Sequence, residues 1–171
     1  MTTRLRSGEE KRSPKAKPAS ASRVTMTELV IPEDTNPHGN IFGGRVMSLL
    51  DKAASVVALR HCRTQVATVS VDSLAFHSPI RLGSIMVLEA RMNAVFRSSM
   101  EVGVRVSSEE VTTGRRRITT TAFVTMVCLN RPGRPQAAPP LLPECEEDHR
   151  LAQEATRRRA QRLKLRDTRD L

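Results

Sequence analysis

The chain contains no tryptophan and no tyrosine, and only four phenylalanines among its 171 residues. A surface that stacks nucleic-acid bases has little to work with here. The core must be built from Val, Ile, Leu, Met and Ala. Cysteine is also sparse, and Cys62, Cys128 and Cys145 are scattered with no CxxC pair. That excludes a disulfide framework and a paired-cysteine zinc site, and it fits a reducing cytoplasm. No apolar run is long enough to cross a bilayer. The N-terminus is basic, then rich in Ser, Pro and Lys, without the apolar centre of a secretory signal.

Several catalytic patterns are missing too. There is no GxSxG elbow, no GxxxxGKS/T phosphate loop, no GxGxxG fingerprint and no HExxH. His38, His61, His77 and His149 are dispersed, which gives a histidine-based triad no support. Charge, by contrast, is abundant. The formal net charge is +10, of which +5 lies in residues 1–23, +3 in 24–131 and +2 in 132–171. The densest positive charge is therefore in a tail. Such a tail reads as solubilising, with nucleic-acid or membrane-surface contact as the alternative.

Residues 1–23 have too little apolar content to fold and are expected to be disordered. A strand is expected over 24–31, where Pro32 stops it. A polar loop leads into a helix from about 42 to about 60. On it Val46, Leu49, Leu50, Ala53, Ala54, Val57 and Ala58 share one broad face. Its small residues would let it lie close against a sheet. Four strand-like runs follow, at 66–76, 84–96, 98–111 and 117–129, and the last two alternate with period two. The order strand, helix, four strands suggests an α+β domain over 24–131, with an antiparallel sheet wrapped around a central helix. Residues 130–143 hold five prolines and read as a linker. A charged helix is expected from 142 to about 169, with Glu146–Arg150 and Glu154–Arg158 as i,i+4 pairs. Its apolar face is thin, so it is expected to fray or to dock on a partner subunit.

The informative stretch is DTNPHGNIFGGRVMSLLD, residues 34–51. A polar loop with Asn40 runs into Gly43 and Gly44 at the helix start, and Asp51 sits on the helix. The first N–H groups of a helix lack internal partners and favour an anion, or an oxygen that becomes one during a reaction. From pattern alone the two glycines read equally well as a simple turn, and Asp51 as a solvated residue. Eight residues of helix span about 12 Å. Asp51 therefore cannot touch a carbonyl held at the start of its own helix. If the two act together, they come from different subunits of a two-fold dimer.

The runs PEDTNPHGNIFGGRVMSLLDKAA, RHC, VATVSVDSLAFHSPIRLGS and FRSSMEV resemble the hotdog-fold acyl-CoA thioesterases. More narrowly, they resemble the bacterial short acyl-CoA hydrolases related to the tandem-domain brain-type acyl-CoA hydrolase of animals. The resemblance covers about residues 24–130. It implies a hotdog fold, a homodimer with a continuous sheet and usually a trimer of dimers, a hexamer. It implies hydrolysis of acyl-CoA to free acid and CoA in fatty acid metabolism, with no metal and no cofactor beyond the CoA of the substrate. It matches Asp51 to the carboxylate that activates water or attacks the thioester. It matches Asn40 to the loop group before the glycines, and Gly43 or Gly44 to the backbone donor on the thioester carbonyl. The implied CoA contacts are Thr68 on a strand edge and Arg97, Ser98 and Ser99 at a strand turn.

Two readings of other classes remain open. One is a non-hydrolytic acyl-CoA binder or regulator whose basic tail contacts nucleic acid. The other is a hotdog dehydratase, for which His38 is the one candidate histidine near the helix start.

Overall fold

The computed structural model of the protein describes residues 14–167. Five strands form one antiparallel sheet: β2 (Val24–Leu29), β3 (Gln65–Phe76), β4 (Ile85–Val95), β5 (Ser99–Glu109) and β6 (Arg116–Leu129). Their order is β2-β4-β5-β6-β3, which leaves β3 at one edge. The long helix α1 (Gly43–Cys62) packs against all five strands. Its expected apolar face is the buried one. Val46, Leu49, Leu50, Ala53, Ala54, Val57 and Ala58 are each no more than 3% exposed. Val102, Val104 and Val106 of β5 and Ala122, Val124 and Met126 of β6 join them in the core. Methionine and alanine do the filling that aromatic rings do in other cores. The helix ends at Arg63, whose left-handed backbone (φ 56°) lets its N–H bond the Leu59 carbonyl at 2.8 Å.

The sheet's other face carries helix α2 (Glu146–Asp167), so the domain is a helix–sheet–helix sandwich. The expected thin apolar stripe is real, and charge replaces it. Arg91 of β4 reaches Asp148, and Arg158 takes Glu101 of β5 at 2.8 Å. Arg162 reaches Asp72 of β3, and the Arg158 guanidinium lies 3.6 Å from the centre of the Phe123 ring. Asn93 donates to the same Glu101 at 3.0 Å, and its side chain fills the space over Gly103 where a Cβ would clash at 2.7 Å. Within the helix the expected Glu154–Arg158 pair forms at 3.8 Å. Arg150, however, engages Glu154 at 2.8 Å and Glu147 at 3.8 Å rather than Glu146. The helix starts at Glu146, not 142. In its first turn Asp148 reaches back to accept the Glu144 N–H at 2.8 Å, one residue before the cap. Burial pushes the Asp148 carboxyl up, but that N–H, Arg91 and Arg23 together hold it below the usual range.

The expectation of disorder over 1–23 needs correction at its C-terminal end; residues 1–13 lie outside the described residues. Strand β1 (Lys17–Pro18) pairs in parallel with β7 (Leu141–Leu142). A 3-10 turn follows at Ala19–Ser22, with Ala19 and Ser22 fully buried. Low apolar content misleads here because polar groups tie the segment down. Ser20 bonds Glu144 through its N–H at 2.6 Å and its hydroxyl at 2.9 Å. The Lys17 ammonium bonds the Arg60 carbonyl at 3.4 Å and the His61 carbonyl at the end of α1. The proline-rich stretch is likewise packed, with Ala138 4% exposed and its N–H on the Arg97 carbonyl at 3.0 Å.

His61 joins these pieces. It is fully buried, with Nδ1 3.1 Å from the Ser22 hydroxyl and Nε2 2.8 Å from the Pro139 carbonyl. A carbonyl only accepts, so Nε2 carries the proton and Nδ1 accepts from Ser22. Burial lowers the His61 pKa, the Pro139 carbonyl partly opposes this, and the Lys17 charge adds to the lowering. The ring therefore folds neutral rather than as a cation serving the helix dipole. Unfolded, it titrates near 6.5. Its contribution is intact above that pH and declines as pH falls from there toward the lower folded value. Thermal midpoints measured from pH 8 to pH 5 should fall more steeply in the native protein than in His61→Gln. Parallel curves would show that His61 does not titrate on unfolding.

Candidate active site

Sequence-local contacts build the loop before α1. The Asn36 side-chain carbonyl accepts the His38 N–H at 3.0 Å and the Asn40 N–H at 3.3 Å, the turn that asparagine favours. Gly39 completes it at φ +72°, where a side chain would be strained. The loop closes through Asn36 N–H to the Asn40 carbonyl (2.8 Å) and Phe42 N–H to the Asp34 carbonyl (2.9 Å). Arg45 on the first turn of α1 holds Asp34 at 2.8 Å.

Phe42 caps the helix without a side-chain hydrogen bond. Among the described residues, the Gly43 and Gly44 N–H groups meet no protein acceptor. Neither glycine has positive φ, and nothing lies within 4 Å of a Cβ placed on Gly44. The protein's own packing therefore does not demand glycine at 44. What glycine leaves there is room for something else. A cavity of about 440 Å³ lies alongside, lined among others by Asn36, Asn40, Gly43, Phe76 and Thr120. The Thr120 hydroxyl and that of neighbouring Ser78 are buried without a protein partner.

Asp51 is exposed and is not part of that cavity. Thr68 on β3 donates its hydroxyl to Asp51 Oδ1 at 2.6 Å. One carboxylate oxygen is thereby held and the other left open. The expected residues thus fall into two groups. Asn40 and Gly43 share the cavity beside the loop, with Gly44 next to it, while Asp51 and Thr68 form a separate pair. Across the sheet Thr68 pairs with Met126, Met126 with Met100, and Met100 with Val95. The turn of Arg97, Ser98 and Ser99 follows directly, at the Thr68 end of the sheet. Phe76, beside the loop, pairs with Thr120, six residues along β6 from Met126. Phe76 and Thr68 are thus about 20 Å apart along the strand. The 97–99 turn is pinned through the Ser98 carbonyl, which accepts the Cys128 N–H at 2.8 Å. The Arg97 side chain is exposed.

Burial removes one other candidate nucleophile. Burial and the adjacent Cys128 push the Cys62 thiol up to about 12, so it is no nucleophile at neutral pH. His38 is exposed on the loop, and its backbone N–H is taken by Asn36.

The fold is shared with solved acyl-CoA thioesterases. The model of the thioesterase superfamily matches residues 38–115, and an uncharacterized acyl-CoA thioester hydrolase of Bacillus subtilis is 40% identical over 88% of this chain and 87% of its own. The chain belongs to the hotdog-fold thioesterase superfamily. The structure of an apo-hexameric acyl-CoA thioesterase superposes with a TM-score of 0.85 at 40% identity, covering 88% of this chain and 96% of that one. An acyl-CoA hydrolase of Staphylococcus aureus, in complex with butyryl-CoA and CoA, superposes at 0.83 with 31% identity, covering 91% and 97%. That hydrolase has also been solved as alanine mutants of an aspartate, of an asparagine fifteen residues before it and of a threonine seventeen residues after it.

Within this thioesterase the glycines at the helix start are testable without reference to substrate. Gly44→Ala should stabilise the fold by about 0.5–1 kcal/mol, because alanine suits a helix better and nothing crowds it. A raised thermal midpoint is expected. A lowered one would show that the fold itself requires the glycine.

Proposed function

We propose that this enzyme hydrolyses acyl-CoA thioesters to a carboxylic acid and CoA, at sites shared by two subunits. One observation carries the reading of the residues. Asp51 has an asparagine, Asn36, fifteen residues before it and Thr68 seventeen residues after it. These are the spacings of the three residues mutated in the S. aureus hydrolase. Thr68 also holds the Asp51 carboxylate in space. Asn36 was not among the residues singled out from the sequence. It adds to Asn40, and its position beside Asp34–Thr35 in the DTN triplet was the available signal.

In the proposed reaction the free oxygen of Asp51 takes a proton from water, and the resulting hydroxide attacks the thioester carbonyl. The alternative, direct attack by the carboxylate, uses the same geometry. The Gly43 and Gly44 N–H groups of the neighbouring subunit stabilise the oxyanion. The C–S bond then breaks, and the CoA sulfur leaves with the proton. A thioester is electrophilic enough for this with positioning, a base and two amides, and the proposal involves no metal or cofactor. Thr68 and the Arg97–Ser98–Ser99 turn lie at the Asp51 end of the sheet and are the proposed CoA contacts, with Arg97 facing a phosphate. The minimal unit is a homodimer, and a trimer of dimers is the proposed assembly. Three free thiols, Cys62 and Cys128 buried and Cys145 exposed, support a reducing, cytoplasmic setting.

Asp51→Asn should lower kcat by about 10²–10⁴ with an unchanged thermal midpoint, measured by thiol release from a panel of acyl-CoAs. Full activity in that variant would sink the assignment. Thr68→Val should reduce kcat more mildly, because the carboxylate remains but loses its orientation. A subunit-mixing experiment tests the shared site. Asn36→Ala and Asp51→Ala chains, each inactive alone, are unfolded together and refolded. Half of the random dimers are mixed, and each has one intact site, so about a quarter of native activity should return. No recovery would place both residues in one subunit's site.

A further inference from the structure

The active-site threonine sits beside an irregularity in β3. Between Thr68 and Ser70 the pairing with β6 slips, and it slips again between Val71 and Ser73. Val69 and Asp72 are therefore extra residues, two β-bulges three positions apart. Bulges redirect side chains, and they cluster near active sites. Here the effect can be read from the register. In an unbroken strand residues 68, 70 and 72 share a face. With the first bulge, Thr68 pairs with core-facing Met126 while Ser70 pairs with Thr125 on the opposite face. Thr68 thus turns toward α1 and Asp51, while Ser70 and Asp72 turn toward α2.

The α2 side of this arrangement is closed by one residue. Asp72 Oδ1 accepts the Ser70 hydroxyl at 2.7 Å, and Oδ2 accepts the Thr125 hydroxyl at 2.7 Å. Arg162 of α2 donates to Asp72 Oδ2 and, at 2.7 Å, to Thr125. The Asp72 side chain is 6% exposed, so its charge needs that cation. β3 is an edge strand of the chain's sheet, paired within the chain with β6 alone.

We propose that Arg162 is a positioning residue for hydrolysis. By clamping Asp72 at the second bulge it holds the phase of β3, and so the direction in which Thr68 presents its hydroxyl to Asp51. The C-terminal helix then has a catalytic task, although Arg162 touches no reacting atom. This rests on the reading of Asp51 as the catalytic carboxylate.

The test separates positioning from stability. Arg162→Met should lower kcat about tenfold or more with KM within about twofold, since small misplacements are costly in rate. Arg162→Lys should recover part of the loss. In a Thr68→Val background, Arg162→Met should change kcat less than about twofold, because the route through Thr68 is already cut. An equal loss in both backgrounds, or native kcat in Arg162→Met, overturns the proposal. If Arg162→Met does not fold, the paired change Asp72→Asn with Arg162→Gln leaves no buried charge unpaired. It should show the same kcat loss, and native kcat there also overturns the proposal. Amide hydrogen exchange gives a readout independent of chemistry. Residues 68–73 should exchange faster in Arg162→Met while α1 is unchanged, and unchanged exchange overturns the clamp. Asp51→Ala runs alongside. If that variant keeps activity, the catalytic reading fails while the exchange result still reports on the clamp.

Discussion

A rigid helix separates the two halves of the proposed chemistry. The free amides at Gly43 and the carboxylate of Asp51 are eight residues apart on α1, about 12 Å of unyielding backbone. Most of the architecture follows from that spacing. The loop and its cavity lie at one end of the sheet, and Thr68 with the 97–99 turn lies at the other. A site that needs both groups within one substrate's reach needs a second subunit with its helix reversed. In the proposed reaction the dimer is then part of the chemistry rather than a stabilising accessory.

The helix can act as a spacer because its packing is tight and small. Ala53, Ala54 and Ala58 are fully buried, and they bring α1 close to a sheet filled by Val and Met. The exposed positions of the same helix, Met47 and Asp51 among them, stay free of the core. At the far end of the helix His61, Lys17 and Ser22 tie the helix terminus to segments remote in sequence. The outer face of the sheet follows a different logic. Helix α2 has too few apolar residues to dock by burial, and buried ion pairs locate it instead. Such pairs add little net stability, but removing one partner alone is expensive. They set where the helix lies, and the Arg162 contact puts that placement within one bulge of Thr68.

Local signals carried much of the fold. The helix face read from spacing is the buried face of α1, and the four later strands begin and end within two residues of expectation, because period and turn chemistry act locally. The 34–51 stretch stood out as a candidate site for the same reason, although from pattern alone its glycines read equally well as a turn and Asp51 as a solvated residue. What escaped was held by contacts between distant residues. Residues 17–22 look unfoldable by composition, and they order because Lys17 finds helix carbonyls and Ser20 finds Glu144. His61, one of four dispersed histidines in the sequence, is buried and neutral between Ser22 and Pro139. Asn36 escaped for another reason: its side chain organises the loop through local bonds that its residue type alone does not announce.

By itself, the sequence determined the order of elements, the apolar face of α1 and the spacing of the candidate groups, because each depends on neighbours a few residues away. It also determined, through helix geometry alone, that those groups cannot meet within one chain. Only the tertiary structure decided which hydroxyl orients Asp51, where α2 lies and which way β3 turns its side chains. Those outcomes depend on bulges and on charge pairs between residues 57 and 90 positions apart. No local pattern encodes them, because the energy that selects them exists only once the sheet has brought the partners together.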